Sequence, residues 1–151
     1  MKLNLDLSRF KPQLKMVQQV DQQKIFDPIR KKYLVFTPEE LVRQLFIFYL
    51  IEAKKYPKNR IAVEKAIQVN ELSKRCDLII YDPALKPLII VECKSPKVKL
   101  NDSTFRQAAI YNLSLQVPYL IITNGLETYV AKIDFKQNDF CLIDEIPEFI
   151  L

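Results

Sequence analysis

Short apolar runs separated by turn residues fill the second half of this chain, and one long apolar stretch with a helical start signal precedes them. Leu88, Ile89, Ile90 and Val91 are apolar without interruption and lie between Pro87 and Pro96. That pattern predicts a short strand buried on both faces, since proline cannot donate to a central ladder. Leu78, Ile79, Ile80 and Tyr81 repeat it and end in the turn pair Asp82-Pro83. Residues 61–72 come close to alternating, with Ile61, Val63, Ile67 and Val69 apolar and Glu64 and Lys65 between them. They predict a strand that pairs with residues 74–82 across Asn70-Glu71-Leu72-Ser73. Residues 117–123 predict another buried strand, Asn124-Gly125 a turn, and residues 128–133 a returning strand.

Two stretches carry helix signals. Thr37 is an N-cap, Pro38 suits the first helical position, and Glu40 completes a capping box three residues on. Leu41, Val42, Leu45, Phe46, Phe48, Tyr49 and Leu50 cover more than one stripe, which predicts a substantially buried helix ending near Tyr56-Pro57. Arg43 and Gln44 interrupt it. An exposed helix arginine is the common case; the alternatives are a phosphate contact or balance for nearby acidic groups. Asn101, Asp102 and Ser103 offer caps for a second helix reaching about residue 115. Ahead of residue 37 the pattern is weak: 33–36 suit a short strand, and the rest an edge strand or an extended arm. Arg30-Lys31-Lys32 is a basic cluster that suits a solvated face or a phosphate contact.

Strand, helix and strand from residue 88 to 123 make a crossover unit, so part of the sheet is expected to be parallel. The chain therefore reads as α/β: a helix, a three-strand meander, a second helix and further strands, in a mixed sheet flanked by helices. Residues 1–36 are an N-terminal arm, 37–133 the core, and 134–151 an acidic and apolar tail that closes the core or meets a partner.

With 151 residues, 49% of them hydrophobic, the chain is one domain with room for a real core. Charged residues make up 27%, no apolar run approaches the roughly 20 residues of a membrane span, and no signal-peptide pattern opens the chain. A soluble cytoplasmic protein is expected. The formal charge of +5 is compatible with a polyanionic partner without demanding one. Cys76, Cys93 and Cys141 are odd in number and lack paired spacing, so neither a disulfide framework nor a zinc knuckle is indicated. With no histidine there is no Ser-His-Asp relay, and the single glycine, Gly125, excludes a Walker loop or a dinucleotide fingerprint.

The chemistry gathers at strand ends. Glu92 and Lys94 are two residues apart, so in an extended chain both side chains leave one face. Asp77 heads the apolar run 78–81, and an antiparallel hairpin brings it opposite that end. A salt-bridged strand end explains these residues without chemistry. Alternatively, two close carboxylates need a cation, and hard oxygen ligands suit Mg²⁺ or Mn²⁺.

Asp77 followed by Glu92-Cys93-Lys94 resembles the signature of the PD-(D/E)xK nuclease superfamily. Thr37-Pro38-Glu39-Glu40-Leu41-Val42-Arg43-Gln44, Lys74-Arg75-Cys76-Asp77, Val91-Glu92-Cys93-Lys94, Gln107-Ala108-Ala109-Ile110-Tyr111-Asn112 and Thr123-Asn124-Gly125, in this order, resemble the N-terminal nuclease domain of type I restriction enzyme motor subunits. The resemblance spans residues 37–133 and implies a restriction-endonuclease-like core and Mg²⁺-dependent cleavage of DNA, with Mn²⁺ as a substitute. It implies Asp77 and Glu92 as metal ligands, the Cys93 carbonyl as a third, and Glu40 binding through water, with Glu64 as a rival acidic group. Lys94 would activate the attacking water, and Gln107 and Tyr111, four apart on one helical face, would position the scissile strand or the lysine. Arg43, Arg75, Arg106 and Asn112 would approach phosphates. Helicase or specificity subunits and a second copy of the chain are possible partners. A silent binding or interaction module on the same fold is the alternative.

Overall fold

The computed structural model describes residues 2–151. Ahead of the first long helix, a 3-10 segment (Leu7–Gln13) leads into an antiparallel sheet of three strands, β1 (Met16–Gln19), β2 (Gln22–Asp27) and β3 (Lys32–Val35). The expected arm is thus a small sheet of its own. The buried Asp27 shapes its second turn: Oδ1 accepts from the backbone N–H of Ile29 at 2.7 Å and of Arg30 at 2.9 Å.

Helix α1 (Pro38–Glu52) begins as its sequence predicts, with Thr37 Oγ1 accepting from the Glu40 N–H at 3.0 Å. The reciprocal half of the capping box is not made, because the Glu40 carboxylate turns instead toward Gln44 and Arg30. After it come β4 (Ile61–Val69), β5 (Leu72–Tyr81), β6 (Pro87–Cys93), α2 (Asp102–Asn112), β7 (Tyr119–Thr123), β8 (Thr128–Asp134) and β9 (Asp139–Ile143). Strands β4 to β9 form one sheet in chain order. Only the β6–β7 pair is parallel, with Ile89 opposite Tyr119 and Cys93 opposite Thr123, and α2 makes the crossover between them.

The two helices cover opposite faces of this mixed sheet. Val42, Phe46 and Leu50 of α1 pack with Leu78, Ile80, Ile89 and Val91. Phe105 and Ala109 of α2 pack with Ile79, Ile90, Leu120 and Ile122. Burial on both faces is why β6 reads as an unbroken apolar run. The tail closes the α1 side: Ile146 is buried, the Tyr56 hydroxyl donates to the Pro147 carbonyl at 2.8 Å, and Phe149 N–H donates to the Lys54 carbonyl at 2.9 Å.

One irregularity sets up the site. The β4–β5 ladder pairs Val63 with Leu78 and Lys65 with Cys76, but skips Glu64 and Asp77 between them. Glu64 has φ +50°, an unusual conformation for a residue inside a strand. Across this point the strand faces invert. Ile61 and Leu78 belong to the α1 side, whereas Ile67 and Cys76 belong to the α2 side.

Candidate active site

Asp77 sits at the inversion. Its Oδ2 accepts from the Cys93 backbone N–H at 2.7 Å, which fixes the carboxylate beside the end of β6. Its Oδ1 faces Arg43 Nη2 at 3.6 Å. Glu92 is the next residue along β6 from Val91, whose partner is Leu78, so positions 77 and 92 lie just past the last pair of this antiparallel ladder, with the Asp77 side chain turned to Arg43 and that of Glu92 to Lys74. Lys94 follows the strand; its N–H donates to the Thr123 carbonyl at 2.8 Å while its side chain is exposed. Lys94 and Glu92 border a cavity of about 180 Å³ whose floor includes Phe105, Ala108 and Tyr129.

Glu92 is ion-paired with Lys74. Lys74 Nζ also donates to Asn112 Oδ1 at 3.0 Å and lies 5.3 Å from the centroid of the Tyr111 ring. Sequence reasoning gave Lys74 no role, because alternation along an undisturbed strand would put Lys74 and Asp77 on opposite faces with no link to the Glu92 side. The expectation that Asn112 approaches a phosphate is corrected: it is buried, its amide donating to the Ala108 carbonyl at 2.7 Å and its oxygen accepting from Lys74. Gln107, Arg106 and Tyr111 are exposed on α2, with Arg106 over the Phe140 ring at 5.8 Å.

On the α1 side, four carboxylates meet three arginines. Arg43, only 5% exposed, approaches Glu64 at 3.1 Å, Glu40 at 3.5 Å and Asp77 at 3.6 Å. Of the two functional roles weighed for it, this placement is that of charge balance, and its burial takes it away from a surface phosphate. Burial works against its charge, but Glu40, Asp77 and Glu64 more than offset this and hold its pKa above the usual value. Arg30, from the β2–β3 turn, reaches Asp27 at 2.7 Å, Glu64 at 3.1 Å and Glu40 at 3.4 Å. It is the residue of the basic cluster that turns inward, and nothing local in its sequence signalled this. Arg75 is exposed and reaches Glu64 at 3.5 Å. Burial raises the Glu64 carboxyl, yet the Arg43 hydrogen bond and the arginine charges bring it below its usual range.

Asp77, Glu92 and the Cys93 carbonyl are hard oxygen donors, the kind Mg²⁺ takes one or two of while keeping several waters. Among the described residues, no three acidic or thiol groups are arranged to hold an ion by themselves. By donor chemistry Asp77 and Glu92 suit such an ion completed by water, and Oδ1 of Asp77 accepts no hydrogen bond, but each carboxylate already faces a cation, Arg43 for Asp77 and Lys74 for Glu92. The Cys93 side chain offers no ligand: burial, reinforced by Asp77, pushes its thiol well above the ordinary range.

Residues 38–147 match the family described as the type I restriction enzyme R protein N terminus (HSDR_N). No curated protein matches the chain. A solved fragment from Vibrio vulnificus, assigned as an HsdR subunit of a type I restriction enzyme, aligns at 16% identity with a TM-score of 0.49. The alignment covers 73% of this chain and 23% of that one. No helix among the described residues is long and apolar enough to cross a membrane.

Proposed function

As the chain belongs to the family of type I restriction enzyme R protein N termini, we propose that it is a metal-dependent DNA endonuclease domain. The observation that carries this reading is the bond from the Cys93 N–H to Asp77, which ties that carboxylate to the backbone between Glu92 and Lys94 at the end of β6. Asp77, Glu92 and the Cys93 carbonyl would hold the ion, with Glu40 reaching it through water. A Mg²⁺ ion bound there would polarise a phosphoryl oxygen and acidify a bound water. Lys94, exposed and free of any ion pair among the described residues, is the group able to orient that water and to offset charge building on the phosphate. Lys74, paired with Glu92 and set against the Tyr111 ring, would position the Glu92 carboxylate. Gln107, exposed one turn before Tyr111, and the exposed Arg75 and Arg106 are the groups placed to meet the DNA backbone.

The test is cleavage of supercoiled and linear DNA in Mg²⁺, Mn²⁺ or chelator by the intact chain and its Asp77→Asn and Lys94→Ala variants. Metal-dependent cleavage lost in both variants is expected; cleavage retained by folded Asp77→Asn refutes the site. The pairing of Glu92 with Lys74 favours a second reading, a DNA-binding or subunit-docking module without turnover. That reading expects salt-dependent DNA affinity indifferent to metal and to Asp77→Asn. The chain spans about a quarter of the solved HsdR fragment it resembles, so assembly with helicase or specificity subunits, or as a homodimer, is part of the same proposal. Co-purification and sedimentation test it.

A further inference from the structure

The N-terminal sheet and α1 enclose a groove of about 480 Å³. Three lysines from three separate elements open on it: Lys15 just before β1, Lys31 in the β2–β3 turn and Lys58 in a 3-10 segment after α1. All three are exposed, and none has an ion-pair partner among the described residues. No acidic residue lines the groove. Two acids adjoin its walls and both are engaged: Glu52 accepts from Gln13 at 2.7 Å, and the buried Asp27 is spent on Arg30 and on its own turn. Like charges gathered in this way oppose the compact state, and a polyanion is what relieves them. Lys31 is moreover held at φ +55°, its N–H donating to the Asp27 carbonyl at 2.7 Å, in a backbone that glycine or asparagine adopts with less strain. Between the lysines lie the half-buried rings of Phe26 and Phe48. Phe26 is steadied edge-on by Tyr33 at 5.1 Å, and Lys15 Nζ lies 5.6 Å from its centroid.

We propose that this groove binds an unpaired strand of nucleic acid, with phosphates on Lys15, Lys31 and Lys58 and a base against Phe26. The proposal goes beyond the endonuclease reading and uses none of its residues. A positive rim around aromatic faces is the arrangement that holds single strands without regard to sequence, since every base has a flat face to stack. A duplex keeps its bases stacked inside and offers the groove phosphates alone. An acidic peptide supplies the charge but nothing flat for the phenylalanines. Lys15, Phe26 and Lys31 lie ahead of the residues that match the family, so the groove is a feature of this chain's own N-terminal sheet. It also adjoins the candidate site. Arg30 and Lys31 are consecutive in the β2–β3 turn; one faces Glu40 and Glu64, and the other opens on the groove. A strand seated on Lys31 thus lies one residue from the charge cluster that reaches Asp77.

Fluorescence anisotropy of a short labelled oligothymidylate with the full chain, in chelator and over a range of salt, tests this. The probe is compared with a duplex of the same length and with polyglutamate as competitor. The variant Lys15→Gln/Lys31→Gln/Lys58→Gln is expected to weaken single-strand binding at least about tenfold at low salt. It should also flatten the plot of log affinity against log salt by about 2, at about 0.7 for each phosphate no longer neutralised. Phe26→Leu is expected to weaken the single strand about tenfold with the slope unchanged, within the range for one stacked base. The lysine changes touch only exposed side chains, so the test stands even where Phe26→Leu disturbs the sheet. Absence of binding by wild type, or an unaltered affinity and slope in the triple variant, overturns the proposal. So does a duplex bound as tightly as the single strand, or displacement of the oligonucleotide by polyglutamate at equal charge, which would make an acidic protein segment the occupant. Each of these leaves the endonuclease reading standing, because that reading is decided by metal-dependent cleavage.

Discussion

Replacing Arg30 with Met removes the contacts that tie the N-terminal sheet to the acidic cluster. The variant loses the 2.7 Å bond to Asp27, whose side chain is fully buried, and the 3.1 and 3.4 Å contacts to Glu64 and Glu40. Breaking a buried pair by deleting one partner costs about 3–5 kcal/mol, mainly for the charge left behind. Here the backbone N–H groups of Ile29 and residue 30 still solvate Asp27, and Arg43 still faces Glu40 and Glu64. The expected loss is therefore at the lower end, about 3 kcal/mol. For a domain of this length that corresponds to roughly 6–12 °C in the thermal midpoint. Urea unfolding with an unchanged m-value is the assay. Adding Asp27→Asn to the variant removes the stranded charge and should recover at least about 1 kcal/mol, a coupling that a double-mutant cycle isolates. A loss below about 1 kcal/mol for Arg30→Met, or strictly additive single variants, would refute the reasoning.

Two further outcomes follow from single residues. Burial raises the Asp27 carboxyl, but hydrogen bonds from Arg30 and Ile29 outweigh it and hold the pKa below its usual value. With the folded pKa depressed, this stabilisation is complete above about pH 4 and fades as pH falls through the folded value. Asp27→Asn should flatten the acid side of the stability curve below about pH 4 in urea midpoints measured against pH; an unchanged slope there contradicts the assignment. Gly125 has φ +88°, and a Cβ on it would lie 3.1 Å from Val42 Cγ2. Gly125→Ala should cost about 1–2 kcal/mol for the left-handed backbone alone, measured by the same unfolding assay.

The central sheet and both helices could be read from the chain because their signals are local. Thr37 and Asn101 cap where they were expected to, and the apolar run of β6 betrays its burial on two faces. The N-terminal sheet could not be read in this way. Its strands carry Gln18, Gln19, Gln22 and Gln23 with only Ile25 and Asp27 buried, so no alternation marks one face. Simple strand geometry brought Asp77 to the end of β6 that carries Glu92. Lys74 and Arg30 escaped because each acts through a contact that pattern cannot encode: one depends on the inversion at Glu64, the other on a turn packing against a helix and a strand far along the chain. Asn112, polar and near the end of an exposed helix face, reads as a surface residue, yet it is spent on Lys74.

The Asp27–Arg30 turn lies ahead of residue 38, where the family similarity begins. A fragment trimmed to that boundary would keep Glu40, Glu64 and Asp77 but discard one of the cations that oppose them. Its fold would lean on Arg43 and on dissolved salt to hold the remaining charges together. A domain border drawn through the Arg30 contacts would divide one electrostatic body in two.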